Sequence, residues 1–266
     1  MHLAPDGVGD QPAQCELDLP PRRRTHLLTA LKQIEERRPA AVLFGGDNAN
    51  RSVSQPAYCT YTAEFLERFP APHFAIPGNH DVGSTVGWHH HDRATMTRAC
   101  SAFVDAFGPD HWVLEQAGFR ILALNSQIFG SSLPEAGRQH QWLQHELPKS
   151  TELLRVVFLH TPPYLKQPDD NFDDGSEQMC LRPQARASLL ALLDQHPPDL
   201  VITAHAHRFW QRREPKWDWL GLPSTAFGQH EMTTVPSHNL PEGDDRVGWV
   251  ALERDGAGWR ATFNPI

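Results

Sequence analysis

The sequence predicts an α/β fold, and three observations lead to this prediction. Short apolar runs typical of buried strands alternate with longer segments whose apolar residues recur at helical spacing. The runs end in glycine, proline or polar residues, as buried strands do where the chain turns. Hydrophobic residues make up 39% of the 266 residues, enough for one substantial core. With no repeat and no compositional boundary, we expect residues 1–266 to form a single domain.

The first half of the chain predicts a loop, then helices alternating with two strands. Residues 3–22 are rich in Pro, Gly and Asp and predict a loop. Apolar residues at helical spacing predict helices over 24–37, 58–69 and 94–107. Apolar runs that end in glycine turns predict two strands, in AAVLFGGD (40–47) and HFAIPGNHD (73–81).

The second half repeats this alternation and becomes richer in strands toward its end. Strands are predicted for FRILALNS (119–126), LLRVVFLH (153–160) and DLVITAHAH (199–207). A helix is predicted for QHQWLQHEL (139–147), and another begins at Pro183, because proline suits the first turn of a helix. The remaining residues, with WDWLGL, VGWVALERD and GWRATFNP, predict strands and turns.

Charge and cysteine content exclude several functional classes. The formal net charge of −8 makes the chain a poor general binder of nucleic acid or anionic membrane, because its field repels phosphate. A small phosphate ester can still bind where metal ions reverse the local charge. The four cysteines form no CxxC pair, which argues against a thiolate zinc site or a disulfide framework. Reduced cysteines, together with no visible signal peptide or membrane span, predict a cytoplasmic protein.

Metal-competent side chains follow four of the predicted strands. Because functional residues of α/β sheets gather at the carboxyl ends of strands, we expect these side chains to converge. They are Asp47 in GGDNAN, Asn79, His80 and Asp81 in GNHD, His160 in LHTPPY, and His205 and His207 in TAHAH.

This set of ligands predicts the class of metal. Carboxylate, amide oxygen and imidazole suit Mn, Fe, Zn or Co. In an extended His-x-His both side chains point to the same face of the strand, so we expect His205 and His207 to hold two adjacent metals. Two cations ~3.5–4 Å apart clamp a phosphoryl group and acidify a water molecule to a hydroxide nucleophile.

With these motifs the chain resembles the calcineurin-like metallophosphoesterases, in the branch related to purple acid phosphatases and cyclic-nucleotide phosphodiesterases. The resemblance implies a four-layer α-β-β-α sandwich and a hydrolase of small phosphomonoesters or phosphodiesters. It further implies two divalent or trivalent ions, with Mn, Fe or Zn as the expected metals. By this analogy Asp47 bridges the metals, and Asn79, His160 and His205 complete one of them. His207 belongs to the other metal, and His80 lies beside the leaving group as general acid or electrostatic stabiliser.

Two positions depart from the family pattern. AHAH stands where the family has GHxH, so Ala204 adds a methyl group but keeps both ligands. GDNAN stands where the family has GDxxxD, so Asn50 replaces an acid. We expect Asn50 not to be a direct ligand.

The family's first motif, Asp-x-His at the end of the first strand, is represented here only by His2. Losing that strand would remove roughly 5–12 kcal/mol of apolar burial, against a total stability of about 5–15 kcal/mol. We therefore expect Met1 to be an internal residue, with His2 as a metal ligand and the paired Asp immediately upstream. A genuine truncation is the alternative, and it predicts a non-catalytic or impaired metal-binding paralogue that lacks the first metal ligand.

Three lesser features have two interpretations each. Residues 89–92 predict a solvated loop or a rim of the substrate site. The acidic segment 169–177 predicts an exposed loop, or a rim that repels polyanions and favours small esters. Asn125 is either a turn amide or a partner of the metal ligands, and Trp210 is either core or pocket wall.

Overall fold

The structure is a computed structural model that describes residues 21–50, 52–85, 90–170, 176–231 and 239–266. The helices are α1 (Pro21–Glu36), α2 (Ala57–Leu66), α3 (Asn79–Val82), α4 (Arg93–Phe107), α5 (Pro134–Glu146) and α6 (Pro183–Gln195). The strands are β1 (Val42–Phe44), β2 (His73–Ala75), β3 (Trp112–Gln116), β4 (Phe119–Leu124), β5 (Leu154–Leu159), β6 (Leu200–Thr203), β7 (Trp210–Arg212), β8 (Asp218–Gly221), β9 (Gly248–Asp255) and β10 (Gly258–Pro265).

The centre of the fold is a six-stranded sheet in the order β3-β4-β5-β6-β8-β7. Its four inner strands run parallel, and β3 and β7 pair antiparallel at the two edges. Every residue of β4 and β6 is buried, as expected for strands covered on both faces. This explains why both strands were visible in the sequence as continuous apolar runs.

Two smaller pairs of strands form a second layer over one face of this sheet. β1 and β2 are parallel, and β9 and β10 are antiparallel. Leu43 of β1 and both Val250 and Leu252 of β9 pack against a cluster that includes Ile121 and Phe158 of the central sheet. The core between the two β layers therefore depends on residues from both ends of the described chain.

Helices cover the outer faces of both β layers. Leu143 of α5 and Leu189 of α6 pack on the free face of the central sheet. On the opposite side Leu31 of α1 packs against Val42 of β1, and Phe103 of α4 packs near Ala75 of β2. The order is thus helix, sheet, strand pairs, helix, which confirms the predicted four-layer α-β-β-α class.

The structure moves some predicted boundaries for local reasons. α5 begins five residues early, at Pro134, because proline occupies its first turn. α4 begins after Asp92, whose carboxylate accepts a hydrogen bond from the Thr95 amide, so Asp92 is an N-cap. Cys59, Cys100 and Cys180 are buried thiols that form no disulfide among the described residues. None of the described helices is long and apolar enough to cross a bilayer.

Candidate metal centre

The turns that follow β1, β2, β5 and β6 meet at one edge of the two β layers. Asp47 follows β1, Asn79 opens α3 after β2, His160 follows β5 and His205 follows β6. Ligand atoms of Asp47, His160 and His205 all lie within 4.8 Å of one another. Three of the motifs read from the sequence therefore deliver their side chains to one place.

The Nε2 atom of His160 lies at the centre of this group. It is 3.0 Å from His205 Nδ1, 3.1 Å from Asn79 Oδ1 and 3.4 Å from Asp47 Oδ2. His160, Asn79 and Asp47 are buried, and His205 is half-buried. Four potential metal ligands thus converge with little access to water.

Backbone carbonyls determine which ring nitrogens of the two histidines carry protons. His160 Nδ1 lies 2.7 Å from Gly45 O, and His205 Nε2 lies 3.2 Å from Gln178 O. Because a carbonyl oxygen only accepts, each facing nitrogen must donate, which leaves the lone pairs of His160 Nε2 and His205 Nδ1 toward each other. A proton on either of these nitrogens can be donated to one acceptor at a time, whereas a metal cation can bind all four ligand atoms. The residues present therefore fit a metal ion.

The electrostatics of the group also favour a positive charge at its centre. Burial lowers the pKa of His160, but the Asp47 carboxylate, the Gly45 carbonyl and the Asp81 carboxylate together outweigh burial, so the pKa is raised overall. Burial lowers the pKa of His205 to about 3, and that of His207 also to about 3. Both imidazoles are therefore neutral near pH 7, the form in which histidine binds metal.

The backbone at these positions is held in an uncommon conformation. Asp47, His205 and His207 have φ of 52°, 62° and 48°, in the left-handed region. Such positions cost of order 1–3 kcal/mol each when occupied by residues other than glycine, and they concentrate at functional sites. Our expectation of an extended His-x-His was wrong, because β6 ends at Thr203 and both histidines lie in the turn beyond it.

Two glycines let the turns approach the ligands. A Cβ on Gly46, which has φ of 95°, would overlap the His160 ring. A Cβ on Gly78 would overlap both the carboxylate and the backbone nitrogen of Asp47. The glycines of GGD and GNHD therefore provide space at the metal centre as well as turns.

Asp81 is a functional residue whose role the sequence did not reveal. Its carboxylate is fully buried and accepts hydrogen bonds from the amides of Gly78 (2.8 Å), Asn48 (3.0 Å) and Ala49 (2.8 Å), and from Asn48 Nδ2 (3.1 Å). Burial and the charge of Asp47 raise the pKa of Asp81. The side chain ties the turn that carries Asp47 to the turn that carries Asn79. In the sequence, its position within GNHD was the feature that could have indicated this role.

His80 lies beside the ligand group and is half-buried. Its backbone amide donates to Asp47 Oδ1 (3.0 Å), which fixes the residue against the Asp47 carboxylate. Its Nδ1 lies 3.1 Å from Oδ1 of Asn50, a buried residue. Asn50 thus orients His80.

His207 lies outside the group formed by Asp47, His160 and His205. Its Nδ1 lies 3.2 Å from Phe227 O, and its ring centroid lies 4.4 Å from that of Phe227. The Arg23 guanidinium covers the same Phe227 ring at 4.1 Å. His207 is therefore positioned by the loop after β8, next to a cation from α1.

A buried polar layer supports the turn of His160 from behind. The Thr161 amide donates to Ser126 Oγ (2.9 Å), and Gln127 Nε2 donates to Thr161 Oγ1 (2.8 Å). Asn125 is a turn amide, because its Oδ1 accepts from the Gln127 amide and its Nδ2 donates to Asp110. Trp210 is a core residue.

Some predicted positions lie elsewhere or outside the described residues. His2 and His89 are outside them, as are residues 171–175 of the acidic segment. Asp170 faces inward and accepts hydrogen bonds from the amides of Leu165 and Lys166. Gln178 O lies 3.2 Å from His205 Nε2.

Comparison with known proteins agrees with this geometry. A family model described as "Calcineurin-like phosphoesterase" matches residues 18–209, well over half of the chain. Among curated proteins, none matches the sequence.

Several solved structures share the fold at low sequence identity. GAP50, the anchor in the inner membrane complex of Plasmodium, matches at 14% identity and a TM-score of 0.63, over 91% of this chain and 79% of its own. A dimetal phosphatase from Danio rerio matches at 14% identity and a TM-score of 0.56, over 86% and 82%. A purple acid phosphatase from yellow lupin seeds matches at 14% identity and a TM-score of 0.60, over 85% and 44%.

Proposed function

The chain belongs to the calcineurin-like phosphoesterase family, and from that membership we propose a metal-dependent phosphomonoesterase or phosphodiesterase with a dinuclear centre. The observation that carries the proposal is the convergence of four potential ligand atoms on one point. Asp47 Oδ2, Asn79 Oδ1 and His205 Nδ1 all face His160 Nε2 within 3.4 Å.

These residues would hold the first metal ion, and Asp47 with His207 would hold the second. Metals bound there polarise a phosphoryl oxygen and lower the pKa of water, so that it can serve as nucleophile at neutral pH. The chain contributes imidazoles oriented by backbone carbonyls, a buried carboxylate, and turns that keep water away from the ligands. The purple acid phosphatase and the dimetal phosphatase with this fold support the choice of two metals.

His80 is the residue we assign to the leaving group. Its amide donates to Asp47 Oδ1 and its Nδ1 lies 3.1 Å from Asn50 Oδ1, so the half-buried ring is held next to a member of the ligand group. An imidazole so placed can give a proton to the departing oxygen or stabilise its charge.

The substrate we propose is a small ester, with neither nucleic acid nor membrane as partner. The net charge of −8 disfavours polyanions at long range. The acidic segment 169–177 is part of this negative charge. Bound metal ions would offset this negative charge only near the metal centre, which favours a substrate with a single phosphoryl group.

The test uses p-nitrophenyl phosphate and bis(p-nitrophenyl) phosphate with protein loaded with Mn²⁺, Fe or Zn²⁺. We expect hydrolysis that a strong chelator abolishes. His80→Ala should lower kcat by about 10²–10⁴-fold while metal content stays unchanged. His145→Ala, on an exposed face of α5, is the matched control and should behave as wild type. Activity that survives both the chelator and His80→Ala would sink the mechanism.

A non-catalytic metal-binding or interaction protein is the second candidate. It is favoured by the shared fold of GAP50, which is described as an anchor, and by the position of His207 outside the ligand group. Metal analysis separates the two candidates. Two bound metals per chain support the hydrolase, whereas one or none, together with no turnover of either ester, supports the second candidate.

A further inference from the structure

α1 carries a polar row of side chains beside the apolar row that packs on β1. Leu27 and Leu31 are buried and pack in one cluster with Val42. A second row, at spacings of three, seven and four residues, consists of Arg23, His26, Gln33 and Arg37. These spacings place side chains on one face of a helix. We call this row the polar stripe of α1.

The C-terminal end of the polar stripe is fixed to β9 and β10. Gln33 Oε1 accepts a hydrogen bond from Trp249 Nε1 (2.8 Å). The Arg37 guanidinium lies 5.3 Å from the centroid of the Trp249 ring and donates to Asn264 Oδ1 (3.0 Å). This end of the helix is therefore held far along the chain from the metal centre.

The N-terminal end of the polar stripe contacts residues 222–228, which follow β8 and which we call the β8 loop. His26 Nδ1 lies 3.2 Å from Ala226 O. The Arg23 guanidinium lies 4.1 Å from the centroid of the Phe227 ring, the distance of a cation–π contact. Two residues of α1 thus hold two consecutive residues of the loop.

Phe227 is also the residue of the β8 loop that contacts His207. The Phe227 carbonyl lies 3.2 Å from His207 Nδ1, and the two ring centroids are 4.4 Å apart. Because a carbonyl oxygen only accepts, Nδ1 donates and the lone pair of the neutral imidazole is on Nε2. The backbone of His207 has φ of 48°, a strained conformation that persists only where surrounding contacts enforce it.

The hydrogen bonds within the β8 loop hold its backbone, whereas the Phe227 ring is held by packing. Ser224 Oγ accepts from the amides of Ala226 (3.0 Å) and Phe227 (3.5 Å), and Ser224 O accepts from the Gly248 amide. Arg23 and His207 both contact the ring itself. A planar guanidinium suits this position, because it can stack on an aromatic face while its charge is attracted to the ring.

We propose that Arg23 is a positioning residue for His207. Acting through the Phe227 ring, its guanidinium holds the Phe227 carbonyl at His207 Nδ1 and so directs Nε2 toward the second metal. The inference rests on the proposed dinuclear centre, in which His207 belongs to that metal. The imidazoles of the first metal are oriented by the Gly45 and Gln178 carbonyls instead, so Arg23 acts on the second metal alone.

The first experiment needs no bound metal. Long-range ¹H–¹⁵N correlation spectra of the metal-free protein show which nitrogen of His207 carries the proton, with the signal assigned by its absence in His207→Asn. We expect the Nδ1–H form in wild type and a mixture with the Nε2–H form in Arg23→Gln. Arg23→Lys keeps a cation on the ring and should stay closer to wild type.

The second experiment is calorimetric titration with Mn²⁺. Arg23→Gln should weaken binding of the second metal by about tenfold, as for other groups that orient a ligand, and leave the first unchanged. In a Phe227→Leu background the same substitution should have no further effect, because the ring through which it acts is gone.

Arg37→Gln is the matched control for both experiments. It removes the same kind of contact from the other end of α1, where the guanidinium faces Trp249. We expect the wild-type His207 tautomer and the wild-type affinity for both metals.

The proposal is overturned if Arg23→Gln leaves the His207 tautomer unchanged or, in a protein that binds two metals, leaves the second affinity unchanged. Equal effects of Arg23→Gln and Arg37→Gln would also overturn it, because α1 would then act only through overall stability. An effect that persists in full in Phe227→Leu would exclude action through the ring. A wild type that binds a single metal would instead count against the dinuclear centre, and the tautomer of His207 would then decide the role of Arg23.

Discussion

Asp81→Asn should loosen the metal centre without removing any proposed metal ligand. In the wild type, Asp81 Oδ2 accepts from the Gly78 amide, the Asn48 amide and Asn48 Nδ2, and Oδ1 accepts from the Ala49 amide. Asparagine has one oxygen and one amino group in the same shape. Its best orientation keeps the three bonds to one oxygen and turns its amino group toward the Ala49 amide.

The expected loss follows from this single mismatch. Ala49 is fully buried, and its amide donates to Asp81 Oδ1 in the wild type. In the variant this amide faces an amino group, which cannot accept the hydrogen bond. An unsatisfied buried amide costs about 1–3 kcal/mol. The substitution also removes a carboxylate whose pKa is raised by burial, so its charge is unfavourable in the folded state. Losing that charge offsets part of the cost, and we expect a net destabilisation near the lower end of the roughly 1–3 kcal/mol range. The turns of Asp47 and Asn79 lose their common anchor, and metal affinity should fall about 10–100-fold, as for other groups that orient ligands.

Urea unfolding followed by tryptophan fluorescence, and calorimetric titration with Mn²⁺, measure the two effects. A loss of about 1–2 kcal/mol shifts the urea midpoint by roughly 0.5–1 M. Asp105→Asn is the matched control, because Asp105 is an exposed acid on α4 and should stay within about 0.5 kcal/mol of wild type. An Asp81→Asn protein with wild-type midpoint and wild-type Mn²⁺ affinity would refute the role of this carboxylate in joining the two turns.

Three further predictions concern other parts of the molecule. Gly78→Ala places a Cβ on the Asp47 carboxylate and should cost about 1–3 kcal/mol of stability and most metal binding. Gly137→Ala in α5, where a Cβ meets nothing within 4 Å, should instead stabilise the protein by about 0.5–1 kcal/mol. Equal urea midpoints for the two variants would contradict the close approach of Gly78 to Asp47. Burial raises the pKa of Asp110, but hydrogen bonds, above all from His111, hold it below its ordinary value of 3.8. A depressed pKa stabilises the fold above pH 3.8 and loses that contribution as the pH falls through the folded-state pKa, so the advantage of wild type over Asp110→Asn in thermal unfolding should shrink on acidification; an advantage that grows would contradict this sign. Chelator treatment of metal-loaded protein should lower Tm, because metal binds only the folded state, and an unchanged Tm would speak against bound metal.

Local patterns in the sequence predicted most helices and strands, because each pattern reflects which side chains of that segment are buried. α6 begins at Pro183 as predicted, and β4 and β5 appear where continuous apolar runs predicted buried strands. β3 was missed, because Trp112–Gln116 is an edge strand of half-buried and exposed residues with no clear apolar period. α3 was missed because its four residues, Asn79–Val82, are a turn and carry no helical period.

The order of motifs also predicted which side chains gather, since parallel strands deliver their carboxyl ends to one edge. That reasoning placed Asp47, Asn79 and His160 correctly near one another. It failed for the backbone at His205 and His207, where a left-handed turn replaces the predicted extended strand. A tight turn at this point depends on contacts made by Gln178 and Phe227, both more than 19 residues away.

By itself, the sequence determined the fold class, the set of carboxylate, amide and imidazole groups, and their places at strand ends. These properties are local, because the periodicity of buried residues and the residue types at turns each depend on positions only a few residues apart. Only the tertiary structure decided that Gly45 and Gln178 carbonyls turn two imidazole lone pairs toward each other, and that Asp81 ties two turns together. It also decided that β1 and β9 line one cavity. Protonation, ligand direction and unfilled volume depend on atoms brought together from distant parts of the chain, which no local pattern records.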